Sequence, residues 1–94
     1  MLVDTEKTKI IFRKVKSGQF KGDIIAFMPE LPVYIGNRIV CYEHIGQHGE
    51  AGLSYYHELT VPAKEEEYKD LKTELESIGY NVDTIKGMYR YGYR

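Results

Sequence analysis

The stretch CYEHIGQHGEAG (41–52) sets the chain's one cysteine and two of its three histidines among two glutamates and three glycines. With His57 added, Cys41, His44, His48 and His57 follow one another as C-x2-H-x3-H-x8-H. All four are competent ligands for tetrahedral zinc. Structural zinc, however, is usually gripped by paired knuckles with tight turns, and this spacing supplies none. On a strand, Cys41 and His44 are an odd number of residues apart and face opposite ways. The spacing therefore predicts Cys41 as a small packed hydrophobe, with no metal ligand and no cofactor. A nucleophile built from Cys41, a histidine and Glu43 or Glu58 would need an activating base in hydrogen-bond reach. The chain has neither a nucleophile elbow nor an oxyanion loop, so no catalytic residue is assigned. A metal-dependent enzyme around Cys41, His44, His48 and His57 is the third-ranked reading.

The glycines permit a different chemistry. Backbone N–H groups of GQHGEAG (46–52) could cradle an anion, but the lysine and Ser/Thr of a phosphate loop are missing. Gln47, His48 and Gly49, with Tyr42 and His44 beside them, form the predicted ligand-binding group. A second candidate surface is basic. Residues 7 to 21 hold Lys7, Lys9, Arg13, Lys14, Lys16 and Lys21 with no acid among them. In the tail, Tyr89, Tyr91 and Tyr93 alternate with Arg90 close by and Arg94 at the end. An extended backbone would put the three rings on one face. Tyrosine and arginine together stack on bases and contact phosphates, and they also make protein hot spots. Arg13, Lys14, Tyr89, Arg90, Tyr91 and Arg94 are the predicted nucleic-acid or partner contacts.

These residues need elements to position them. TKIIFRKVK (8–16) reads as a strand, with Ile10 and Phe12 on one face and Ile11, Arg13 and Val15 on the other. SGQFKG (17–22) is a turn and DIIAFMPE (23–30) a second strand, closing a hairpin. IVCYEHI (39–45) and LSYYHEL (53–59) read as a third and a fourth strand, with 46–52 a loop between them. Tyr68, Leu71, Leu75 and Ile78 recur at helical spacing. Glu65, Glu66 and Glu67 suit the positive end of that helix. Gly79 can take the left-handed position beyond it, with Tyr80 folding back on Leu75. NVDTIK (81–86) is a last strand, which 87–94 either extends or follows as a loose tail. The order β-β-β-β-α-β predicts one α+β domain: an antiparallel sheet of four to five strands packed on one face by a single helix.

That geometry carries a consequence. A helix is ~10 Å across and strands lie ~4.8 Å apart, so one helix covers about two strands. Both sheet faces are apolar, so the uncovered face calls for a second copy, and a homo-oligomer is expected.

Composition sets the outer bounds. Ninety-four residues, 43% hydrophobic and 29% charged with a net charge of −1, describe one soluble domain. No global field draws in nucleic acid or membrane. No apolar run approaches the ~20 residues of a bilayer span. The start MLVDTEKTK lacks the apolar core of a signal peptide. The single cysteine precludes an internal disulfide and fits a reducing cytoplasm. Residues 64 to 76 hold six acids against three lysines and read as a solvated helix face.

The segments IIFRKVK, DIIAFMPELP, YEHIGQHGEA and EEYKDLKTELESIGYNV occur in an order that resembles a family of small proteins found in bacteria, phages and plasmids. The resemblance covers most of residues 9 to 82 and is most specific at HIGQHG (44–49). Val15 stands where the family has an aromatic, and Lys64 where it has a proline. The family carries no assigned activity, so the resemblance implies a setting: a mobile-element accessory protein of the cytoplasm. The leading expectation is a non-enzymatic binding protein for a host protein or a nucleotide-like ligand. The second is a nucleic-acid-binding module using the basic hairpin and tail.

Overall fold

The computed structural model of the chain describes residues 7–31, 36, 38–43 and 47–87. Among the described residues, six strands and two helices make an α+β fold: β1 (Thr8–Val15), β2 (Ile24–Met28), β3 (Arg38–Glu43), β4 (Gln47–Gly52), α1 (Leu53–Leu59), β5 (Thr60–Pro62), α2 (Glu65–Ser77) and β6 (Val82–Thr84). The sheet order is β4-β3-β2-β1-β5, and β6 also pairs with β1. The β1–β2, β2–β3, β3–β4 and β1–β5 pairs are antiparallel, and β6 runs parallel to β1.

β1 is central because its residues are apolar on both faces. Ile10 and Phe12 point to one side and join Ala26, Met28 and Tyr42 beneath Leu71 and Leu75 of α2. Ile11 and Val15 point to the other and join Ile25, Phe27, Ile39 and Cys41 beneath Tyr56 of α1. A strand greasy on both sides can only sit between two layers. Its outer edge is shared: residues 8–10 pair with β6 and residues 13–15 with β5. Pro62 is tolerated because it ends a short edge strand.

α2 forms where the sequence predicts it. Its first turn carries Glu65, Glu66 and Glu67 at the positive end of the helix dipole. Glu67 Oε1 accepts the Lys64 backbone N–H at 2.9 Å, and Oε2 accepts Lys14 Nζ at 2.5 Å. Lys14 thus ties the helix start to β1, and this hydrogen bond is the main reason Glu67 titrates below the ordinary carboxylate range. The helix stops at Gly79, where φ is +114°. The Tyr80 N–H donates to Leu75 O at 3.1 Å and the Gly79 N–H to Glu76 O at 3.2 Å, a Schellman closure. Leu71 and Leu75 are buried, each contributing ~1.5–3 kcal/mol. Phe12 and Tyr68 stack at 4.3 Å between centroids.

Residues 47–59 correct two expectations. The expected loop 46–52 is, over Gln47–Gly52, the strand β4, paired with β3 in the register Cys41↔Gly49 and Tyr42↔His48. Glycine weakens a strand, but the ladder to β3 decides the conformation over intrinsic preference. The expected strand 53–59 is the helix α1. Read at helical spacing, LSYYHELT places Tyr56 and Thr60 one turn apart, and these two are buried at 4% and 1% exposure. The segment leaves β4 at one edge of the sheet and enters β5 at the other. Crossing the apolar face as a helix satisfies its backbone on the way, which an unpaired strand could not do.

The expected bare face is therefore covered. α2 packs on one side as predicted, and α1 brings Tyr56, with Leu53 and Tyr55, over the other. Arg13 fixes that cover. Its guanidinium lies 4.4 Å over the Tyr56 ring. Its Nε donates to Thr60 Oγ1 at 2.9 Å, and its Nη2 to Thr60 O at 2.8 Å and to Tyr56 O at 3.3 Å. A cation thus meets carbonyls that the end of α1 leaves without intrahelical donors. Arg13→Met should lower stability by about 2–3 kcal/mol, the scale of charge-assisted hydrogen bonds lost in a partly buried site. Urea denaturation monitored by circular dichroism will measure this, with Arg13→Lys falling between the two.

Candidate binding surface

The ligand-like residues of 41–57 do not converge. Cys41 lies on the α1 side of β3, 8% exposed, opposite Gly49. His48, one residue along β4, points to the α2 side. Its ring meets Tyr42 edge-on at 4.9 Å, and its Nε2 is 2.7 Å from the Tyr80 hydroxyl. His57 is exposed on α1 with its ring against Tyr56. His44 lies outside the described residues. No group of three His, Cys, Asp or Glu side chains among the described residues could hold a metal ion. Burial, then the nearby Glu43 and Glu50 charges, push the Cys41 thiol up to about 11. A nucleophilic cysteine needs the opposite shift.

Of the predicted ligand-binding group, Tyr42 and His48 do come together. Tyr42 donates its hydroxyl to Glu74 Oε2 at 2.6 Å. That bond, ahead of burial, raises the Tyr42 pKa, and burial raises that of Tyr80. Glu74, Tyr42, His48 and Tyr80 form a polar seam that joins β3 and β4 to α2. Gly49 belongs to the opposite face, and Gln47 pairs with Glu43 through the backbone register. Within the seam, the Tyr42 hydroxyl is answered by Glu74 and the Tyr80 hydroxyl by His48.

The basic surface is also engaged. Arg13 holds α1, and Lys14 is ion-paired with Glu67. Tyr89, Arg90, Tyr91 and Arg94 lie outside the described residues.

A cleft that the sequence reading did not anticipate opens where β1 ends and β2 begins. Its volume is about 570 Å³, within the range of ligand pockets. Val15, Ile24, Ile25 and Leu71 give it apolar walls. Phe20, from the β1–β2 turn, and Tyr55, from the first turn of α1, add rings. Asp23, Glu43, Glu67 and Asp70 supply carboxylates, and among the described residues no lysine, arginine or histidine lines it. Glu67 is matched by Lys14, whereas Asp23, Glu43 and Asp70 have no ion-pair partner among the described residues. Phe20 is 58% exposed, the most exposed of the large hydrophobic side chains described. The turn is held by Gly22 N–H to Val15 O at 2.8 Å and Asp23 N–H to Phe20 O at 3.0 Å, with φ positive at Gly18 and Gly22. Phe20 therefore stands in solvent on an ordered support. The signal in the sequence was an aromatic in a Gly-rich turn, where polar residues are the rule.

The raised thiol gives a pH test with a definite sign. The folded state favours the protonated form, so the Cys41 contribution to stability is intact below about pH 9. It is lost as pH climbs from there towards 11. Reaction of the native Cys41 thiol with Ellman's reagent should be slow at pH 8 and rise about tenfold per pH unit up to pH 10; the rate will level off above pH 9 instead if the thiol ionises near its ordinary value. The chain matches no protein-family model, no curated protein and no solved structure.

Proposed function

We propose that this protein is a non-catalytic binding module that holds a segment of another protein in the cleft at the end of its sheet. One observation carries the reading: an open concavity that combines apolar walls, an exposed phenylalanine and unmatched carboxylates. Exposed aromatics beside apolar ground are what protein interfaces use as anchors. Of the two ligand classes expected from the sequence, the protein is favoured over the nucleotide. An anionic ligand would face Asp23, Glu43 and Asp70 at close range, and like charges repel.

The nucleic-acid reading draws less support, because Arg13 and Lys14 serve intramolecular contacts. The expectation of a second copy rested on a bare sheet face, and α1 removes that reason. No helix among the described residues is long and apolar enough to cross a membrane. In the cytoplasmic, mobile-element setting that the family resemblance implies, the partner is a host protein.

Capture from a bacterial lysate tests the reading. A specific protein retained by the wild type should fall at least about tenfold with Phe20→Asp, a loss of some 1.4 kcal/mol or more, while the variant's thermal melt is unchanged. Equal retention by wild type and variant overturns the assignment. Anisotropy with a DNA duplex should show binding weaker than about 100 μM near physiological salt; tight binding that falls steeply with salt would favour the nucleic-acid reading instead.

A further inference from the structure

We infer that the occupant of the cleft is an extended polypeptide segment in which lysine or arginine alternates with large apolar side chains. This rests on the binding role proposed above and names the partner's chemistry. Three features of the cleft lead to it.

The first is the sign of charge. Asp23, Glu43 and Asp70 line the cleft without a cation to answer them among the described residues. A complementary partner brings positive charge, which sets specificity and speeds encounter. Tyr55 reports the same field: burial first, and then the nearness of Glu43, Cys41 and Asp23, raise its pKa.

The second is the spread of those carboxylates. Asp23 lies just before β2, Glu43 ends β3, and Asp70 is on α2. They do not gather into a group able to hold a metal ion. A single small cation would answer one of them. A chain with cationic side chains along its length answers several.

The third is the mixture of surface types. Apolar side chains and carboxylates both line the cleft, and Phe20 among them is exposed. An extended chain sends successive side chains to opposite sides. One set can then lie on the apolar wall while the other meets the acids. Phe20 and Tyr55 also offer ring faces to a lysine or arginine.

Three synthetic octapeptides, titrated into the full-length protein by calorimetry, test this. One alternates leucine and lysine, one serine and lysine, one leucine and glutamate. The leucine–lysine peptide should bind at least about tenfold tighter than either other. It should weaken about tenfold or more in Glu43→Lys/Asp70→Lys, and also in the wild type as salt is raised past physiological strength. Glu58→Lys/Glu76→Lys makes the same charge change outside the cleft and should leave the affinity within about twofold. If the charge-reversed variant does not fold, the salt series and the peptide comparison still decide. Equal binding of the serine–lysine peptide overturns the inference by reducing it to charge attraction. Equal binding of the leucine–glutamate peptide overturns the cationic occupant but leaves a protein-binding cleft standing. No binding by any of the three overturns both.

Discussion

Arg13 reaches through the fold from the central strand to the end of the crossover helix, and the placement of most other parts depends on it. Its guanidinium holds Thr60 and Tyr56 by three hydrogen bonds and lies against the Tyr56 ring. Thr60 in turn donates its hydroxyl to Tyr56 O at 2.5 Å and pairs with Val15 in the β1–β5 register. One cation therefore fixes where α1 ends, where β5 begins, and how Tyr56 sits over Phe27. Because α1 is only seven residues long, it is too short to be stable by helix propensity alone. Its stability comes from these contacts at its end and from the burial of Tyr56. The same placement brings Tyr55 to the cleft beside Val15 and Ile25.

The distribution of charge follows a related logic. Overall charge is close to zero, at −1, yet the two signs are used differently. The cations of β1 that the structure pairs are turned to internal work: Lys9 to Asp83, Arg13 to α1, Lys14 to Glu67. Lys14 neutralises one of the four cleft carboxylates and leaves three. The cleft is acidic because the basic strand next to it is already engaged. A count of charges along the chain cannot show this, since pairing depends on which residues the topology brings together.

Much of the fold was nevertheless legible. β1 and β2 read correctly because their alternation is apolar on both faces, and α2 because its stripe, its acidic first turn and Gly79 agree with one another. Residues 47–59 did not, for two physical reasons. Glycines signal loops, but an edge strand with a full ladder on one side tolerates them. Seven residues from Leu53 to Leu59 satisfy both a two-residue and a 3.6-residue period, and only the need to cross the sheet selects the helix. Within the predicted ligand-binding group, Tyr42 and His48 meet because they are cross-strand partners, a pairing that the expected loop did not contain. Beyond the aromatic in the Gly-rich turn, the cleft left no trace in the sequence, for a simpler reason. Phe20, Glu43, Tyr55 and Asp70 are scattered over half the chain, and no local pattern joins them.

The change from one covering helix to two also alters what kind of partner the molecule suits. A bare sheet face is broad and flat, and a second copy of the same face is its natural complement. With α1 and α2 on opposite sides, that broad surface is gone, and a cleft with apolar walls remains at the end of the sheet. There the β1–β2 turn projects Phe20 while the first turn of α1 brings up Tyr55 and the second turn of α2 brings up Asp70. Such a space is bounded by the turn, the sheet and both helices. It admits a narrow segment more readily than a globular surface. The topology that covers the core therefore also sets the shape of what the remaining surface can hold.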